Sequence, residues 1–297
     1  MKKILSLLMV ISFAFFFTTS CEKEDNSKGT LTLSLTDAPI DMSTVEAVDL
    51  TINEIQYNKS GGSWMTFEEF EGPQKFNILE LTEGNAALLG SFELDAGNYT
   101  QLRFILDSPT LGDGNPSNPG CYIEFKDGTE EALFVPSGHE SGWKGVGAFK
   151  VPSNGEVAIT ADFDARKSVM KQGANDFYIL KPTIRLIVDD QSGQIAGGVS
   201  NIPEGTDIVV YAYEDETYTA EEAADPTSDT IPRFPNAVTS DIVDTDSYHL
   251  AFLAPMTYDL IVVSSIDGEF QEVLGMVEDV TVESRKTTSQ AIDLSSL

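Results

Sequence analysis

The sequence predicts a mainly β protein, built as two consecutive antiparallel β-sandwich-like domains behind a signal peptide. Three observations carry that expectation. Apolar and polar residues alternate in short runs, the spacing of a strand with one buried face. Gly, Pro, Asn and Asp cluster between those runs, where the chain must turn. Helical periodicity is weak everywhere and is visible only around Ala165–Lys171.

The strands follow in order. Leu31, Leu33 and Leu35 alternate with Thr32 and Ser34. Val48, Leu50 and Ile52 alternate likewise, and the phase then slips to Ile55 and Tyr57, which places a β-bulge near Asn53-Glu54. The turn-forming stretch to Gly62 leads to a return strand from Trp64 to Phe67. Phe76–Leu79 is a further short strand, and Asp95–Asn98 reads as a hairpin loop joining Ser91–Leu94 to Tyr99–Leu106. After a Gly/Pro/Asn segment from Leu111 to Gly120 come Tyr122–Phe125, Glu131–Val135, Gly147–Val151, Val157–Phe163 and Phe177–Val188. In Val157–Phe163 the odd-numbered residues are the apolar set, so Thr160 and Asp162 are expected on an outer, solvated face. Asp189–Gly193 marks a boundary, beyond which about seven strands occupy residues 193–297. The expected divisions are residues 1–20, 21–28, 29–188 and 193–297.

The first division has the pattern of a leader. Lys2 and Lys3 precede an apolar run from Ile4 to Phe17, which is too short for the ~20 residues of a membrane-spanning helix. Thr18-Thr19-Ser20-Cys21 resembles a lipobox of the looser bacteroidete type, which implies a lipoprotein signal peptide and a lipid-anchored Cys21. Glu22, Lys23, Glu24 and Asp25 open the acidic tether and resemble an export signal for such lipoproteins. Together they lead to an expected address at the outer membrane, lipid-anchored and exposed on the cell surface.

Composition excludes several roles. A formal charge of −30, from 48 acidic residues against 18 Lys and Arg, repels nucleic acid and keeps the chain soluble outside a cell. With Cys21 used by the anchor, Cys121 is the only other cysteine and reads as a small core residue. Two histidines, His139 and His249, are too few for a zinc site with no cysteines to help.

Particular segments carry a family resemblance. Leu33-Ser-Leu-Thr-Asp-Ala-Pro39, Leu88-Leu-Gly90, Ala96–Arg103, Val135–Gly138, Ser141–Lys144, Asp162–Ala165 and Leu180–Arg185 occur in the order of the domain of unknown function 4382. The resemblance covers about residues 29–188 and implies an exported lipoprotein domain without an assigned activity. Trp143 stands where that family has an aliphatic residue, which makes it a core position. The stretch Ser247–Leu260 is similar to the prealbumin-like modules of the carboxypeptidase regulatory type, with Ser247 and Met256-Thr257 where those modules carry glycines.

Candidate chemistry is sparse. Asp162 and Asp164 form a carboxylate pair about 7 Å apart along one strand face. Ser137-Gly-His139 lacks the Gly-x-Ser-x-Gly of a nucleophile elbow, and His249 is expected to face solvent. Asp113, Asn115, Asp189 and Asp190 are oxygen ligands in loops, the residue types and places calcium uses. No other cofactor is expected. Trp64, Tyr211, Tyr213 and Tyr218 are the rings available to stack on a glycan. Two functional classes follow. The first is a non-enzymatic binding, adhesion or accessory protein, with an extracellular glycan, a protein or an outer-membrane complex as partner. The second is an extracytoplasmic hydrolase acting on glycan or peptide with a carboxylate site assembled by the fold. A deep pocket lined by convergent carboxylates would mark the hydrolase.

Overall fold

The computed structural model describes residues 27–38, 44–59, 62–108, 120–135, 142–172, 177–181, 183–226 and 231–297. The leader, Cys21, Glu22, Lys23, Glu24, Asp25, Asp113, Asn115, Ser137 and His139 lie outside the described residues. Among the described residues no helix is long and apolar enough to cross a membrane.

The fold is mainly β and built of several sheets. The first unit runs through β1 (Lys28–Ala38), β2 (Val45–Lys59), β3 (Trp64–Thr66), β4 (Gln74–Asn77), β5 (Ala87–Asp95), β6 (Gly97–Leu106) and β7 (Tyr122–Phe125). It continues through β8 (Glu130–Phe134), β9 (Trp143–Val151), β10 (Glu156–Asp164), the one-turn helix α1 (Ala165–Ser168), β11 (Val169–Gln172), β12 (Phe177–Leu180) and β13 (Ile184–Val188). The strand path is β11-β12-β8-β7-β2-β6-β9-β13-β10-β1-β5, with β3 and β4 paired to β2. The sheet closes over one core. Phe104 of β6 meets Phe163 of β10 edge-on at 5.6 Å, although β9 and β13 lie between those strands in the sheet. Leu31, Leu33, Leu50, Ile52, Leu102 and Trp143 join that core with at most 1% exposure, and each buried aliphatic side chain contributes about 1.5–3 kcal/mol of transfer free energy.

The register slip expected near Asn53 is present, between Ile52 and Glu54 against β6. It moves Ile55 back to the interior, where it is fully buried. Other expectations need correction. The sheet is mixed, because β1 with β10, β9 with β13 and β8 with β12 are parallel pairs. Alternation within a strand reports which face is buried and carries no information about the direction of the neighbour. Asp95–Asn98 is not a hairpin loop. β5 pairs with β1 while β6 pairs with β2 and β9, so the segment crosses between layers. The Tyr99 hydroxyl donates to the Asp95 carbonyl at 2.7 Å and ties that corner. The long run Phe177–Val188 is two strands in different parts of the sheet, β12 and β13.

The second group of strands is β14 (Gly193–Ser200), β15 (Asp207–Glu214), β16 (Thr239–Ile242), β17 (Ser247–Leu253), β18 (Thr257–Ile266), β19 (Glu269–Thr281), β20 (Thr287–Ser289) and β21 (Ile292–Asp293). They form two four-stranded sheets, one around β14 with β17, β20 and β21, the other in the order β16-β15-β18-β19. Ile208, Val210 and Ala212 of β15 enter the core between the sheets. Val209, Tyr211 and Tyr213 enter a second cluster on the other face, together with Phe234 and Ala237. Tyr258 repeats the corner of the first unit by donating to the Ala254 carbonyl at 3.0 Å.

Candidate functional site

The outer face of β10 is not solvated, and that is a correction to the sequence reading. Thr160, Asp162 and Asp164 are 1%, 4% and 5% exposed. Asp162 lies opposite Arg185 in the β10–β13 register, and the Arg185 Nε donates to Asp162 Oδ2 at 2.9 Å. Asp164 caps α1 by accepting from the Lys167 amide at 3.2 Å. Its other oxygen accepts from Arg166 Nη2 at 3.3 Å. Asp37, at the end of β1, accepts from the Ala165 amide through Oδ1 at 2.8 Å, while its Oδ2 is buried without a partner. Burial, reinforced by Asp162 and Asp164, pushes the Asp37 carboxyl well above the usual range. Burial also raises Asp162, against the opposing pull of Arg185.

Residues of the later strands close this face. Arg166 Nη1 donates to the Phe234 carbonyl at 3.0 Å and Nη2 to the Ala237 carbonyl at 3.1 Å. Lys167 Nζ donates to the same Ala237 carbonyl at 2.7 Å. His249 also belongs to the seam, not to solvent. Its Nδ1 donates to the Glu83 carbonyl at 2.7 Å, and its Nε2 lies 2.7 Å from Gln194 Oε1. The loop reaches the ring because Gly84, at φ +80°, has no Cβ; one there would sit 2.8 Å from His249 Cε1. Asp241 accepts from the His249 amide at 2.6 Å, and burial pushes its carboxyl up to about 7. The space left among Asp37, Asp162, Thr239 and His249 is about 10 Å³, that of one water. Asp162 and Asp164 are therefore held by cations and shut from substrate, which is the wrong arrangement for a glycosidase pair.

Other residues singled out in the sequence are similarly occupied. Cys121 is fully buried, and burial pushes its thiol up to about 12. Tyr211 and Tyr213 are core residues, and Tyr213 donates to Glu222 Oε2 at 2.9 Å. Trp64 is half-buried under the Arg103 guanidinium, 4.6 Å from its ring centre. Trp143 is 1% exposed against Phe163, a core position as expected. Asp190 pairs with Arg285 at 2.7 Å, and burial raises the Asp189 carboxyl, which opposes the ionised form a calcium ligand needs. Among the described residues no three His, Cys, Asp or Glu side chains are grouped to hold a metal.

An open groove of about 670 Å³ lies at the far end of the first sheet. The β7–β8 turn forms one wall, with Phe125, Lys126, Asp127 and Glu131; Lys171 and Tyr178 form the other. Asp127 accepts from the Thr129 amide at 2.9 Å and from its hydroxyl at 2.6 Å, which fixes the turn and holds this carboxyl below its usual range. The Phe125 and Tyr178 rings are 5.8 Å apart, inclined at 51°. The groove thus offers an aromatic floor with ammonium and carboxylate groups at its rim. Sequence reading missed it because Phe125 and Tyr178 are brought together only by the parallel pairing of β8 with β12.

No curated protein matches the chain. Among solved structures, a minor pilin of the gram-positive pathogen Streptococcus agalactiae aligns over 88% of this chain and 94% of its own, at 12% identity and a TM-score of 0.23. A fimbrial protein of Bacteroides ovatus aligns over 90% of this chain and 48% of its own, at 10% identity and a TM-score of 0.22. A putative cell adhesion protein of Bacteroides fragilis aligns over 89% and 92%, at 10% identity and a TM-score of 0.21. The expected outer-membrane address is corrected here: the similar structures include a minor pilin of a gram-positive pathogen. The carboxypeptidase-regulatory likeness of residues 193–297 has no counterpart in these comparisons. The model of the domain of unknown function DUF4382 matches residues 28–182, more than half of the sequence, and the chain belongs to that family.

Proposed function

We propose that the protein is a non-enzymatic binding or adhesion module that engages an extracellular glycan or protein through the groove between the β7–β8 turn and Tyr178. The observation that carries this is the lining itself. Two rings make an apolar floor, and Lys126, Asp127 and Glu131 supply hydrogen-bonding groups at the rim. Such a mixture suits a ligand with both apolar faces and hydroxyl or amide groups. The Thr129 hydroxyl beside Asp127 is spent on fixing the β7–β8 turn, and the carboxylate pair that would have served a hydrolase is buried against Arg185, Arg166 and Lys167.

The architecture belongs to the same proposal. Residues 29–188 form one unit and 193–297 a second, prealbumin-like sandwich, and the polar seam between them keeps the groove at a set orientation. Cys21 is the proposed point of lipid attachment and thus of membrane contact. Cys21→Ala protein is expected in the soluble fraction with its body folded; retention on membranes after a high-salt wash would remove the anchor from the proposal.

The groove is tested with Lys126→Ala and Glu131→Ala, both exposed positions. The full chain is screened against immobilised polysaccharides and glycoproteins, and the variants are compared on whatever it binds. Binding at least tenfold weaker, with thermal unfolding unchanged, supports the groove as the contact. Parent-like binding by both variants shows that the contact lies elsewhere.

A further inference from the structure

A second cavity, of about 300 Å³, opens beside the seam at the other end of Arg166. Its walls are mostly aromatic and apolar. Tyr211 and Phe234 have ring centres 4.7 Å apart, Phe270 meets Phe234 edge-on at 5.7 Å, and Val263 completes the surface. Arg233 lies over the Phe270 ring at 4.1 Å with its guanidinium paired to Asp225 at 2.7 Å, and Glu269 belongs to the same wall.

Two polar groups in this wall have no partner. Arg166 is 8% exposed; Nη1 and Nη2 are used by Phe234, Ala237 and Asp164, but the buried Nε–H donates to nothing. Ser265 is 1% exposed, and its hydroxyl is equally unpartnered. A buried donor left unsatisfied is costly, and native structures keep few of them. Here two occur in residues lining one cavity. Guanidinium nitrogens only donate, so the group that satisfies this wall must accept, and a carboxylate offers two oxygens to the two donors. The remaining wall requires an apolar or planar body. The volume is at the lower end of the ~300–1,000 Å³ of ligand pockets, and with Glu269 in the wall the cavity suits a singly charged group better than a polyanion.

We infer that this cavity is a binding site for a small organic monocarboxylate with an aromatic or aliphatic body. The carboxylate accepts from Arg166 Nε and the Ser265 hydroxyl, and the body packs on Tyr211 and Phe270. Both donors are covered from water, so the carboxylate reaches them by a local shift of side chains. The site is separate from the Phe125–Tyr178 groove and does not depend on what that groove binds.

The test uses the full chain with 3-phenylpropanoate as the probe and 3-phenylpropanamide as its uncharged counterpart, followed by calorimetry or NMR titration. Saturable binding of the acid is expected up to about 10 mM, the affinity range of a ligand this small, with the amide at least tenfold weaker. Ser265→Ala should weaken the acid by about tenfold. The same change removes an unsatisfied hydroxyl, so the free variant should unfold at the parent's temperature or above it. Lys126→Ala, in the other groove, should leave this binding unchanged. No saturation, equal binding of acid and amide, or parent-like affinity in Ser265→Ala would each overturn the assignment.

Discussion

Arg185 and Asp162 face each other across the antiparallel β10–β13 pair, with Arg185 Nε 2.9 Å from Asp162 Oδ2. The ion pair sits on the face of the first sheet that the later strands cover. Breaking it from one side leaves an uncompensated buried charge, which costs more than the pair itself contributes. Arg185→Met should therefore lower the unfolding free energy by roughly 3 kcal/mol. The double variant Arg185→Met, Asp162→Leu should recover most of it. Urea denaturation of the three proteins measures both effects.

The seam also sets a pH dependence. Burial raises Asp241 from its ordinary 3.8 to about 7, and Asp37 and Asp162 shift in the same direction. The folded state then holds these protons more tightly than the unfolded state does. The contribution of Asp241 is complete below about pH 4 and is lost as pH rises through 7. The urea midpoint should fall between pH 5 and pH 8, with Asp241 responsible for about 2–4 kcal/mol. Asp241→Asn should flatten the curve; a midpoint that rises over the same interval would contradict the buried carboxyl.

Gly84 gives a steric test of the seam. Alanine there meets the His249 ring at 2.8 Å and must also hold φ near +80°. Gly84→Ala should lower stability by about 1–3 kcal/mol. Hydrogen exchange should quicken in β17 while the Leu31–Leu33 core stays protected.

The two tryptophans separate by environment. In Trp64→Phe protein the remaining Trp143, 1% exposed, should emit at short wavelength and resist quenching by iodide. Trp143→Ala should cost about 3–5 kcal/mol by leaving a cavity beside Phe163.

Cys121 should be inert in the folded protein. Its thiol is fully buried and pushed up to about 12, so a thiol reagent at pH 8 should label Cys21→Ala protein only after unfolding, to one group per chain. Rapid labelling of the native form would contradict its placement in the core.

Much of the fold is legible locally. Leu31, Leu33 and Leu35 alternate because one face of β1 is buried, and the slip from Ile52 to Ile55 announces its own bulge. The cap that Asp164 puts on the turn into Ala165 is also a local matter, because an Asp side chain finds the amide three residues on. The pairing of β8 with β12 was not readable, and neither was the groove that it builds. Strand direction and partner depend on contacts far apart in sequence, and alternation does not encode them.

The same divide explains the misplacement of Asp162 and His249. Their positions in the alternation correctly put them opposite the first and second cores, and a polar residue there is ordinarily solvated. By itself the sequence determined the β class, the family, the core faces and a single buried thiol, because each rests on local pattern or on residue identity. Only the tertiary structure decided that the polar faces of β10 and β17 meet, that Arg166 reaches the Phe234 and Ala237 carbonyls, and that Arg166 and Ser265 line one cavity. Those outcomes depend on two surfaces docking in one orientation, and the free energy of that docking is spread over residues more than sixty positions apart in the chain.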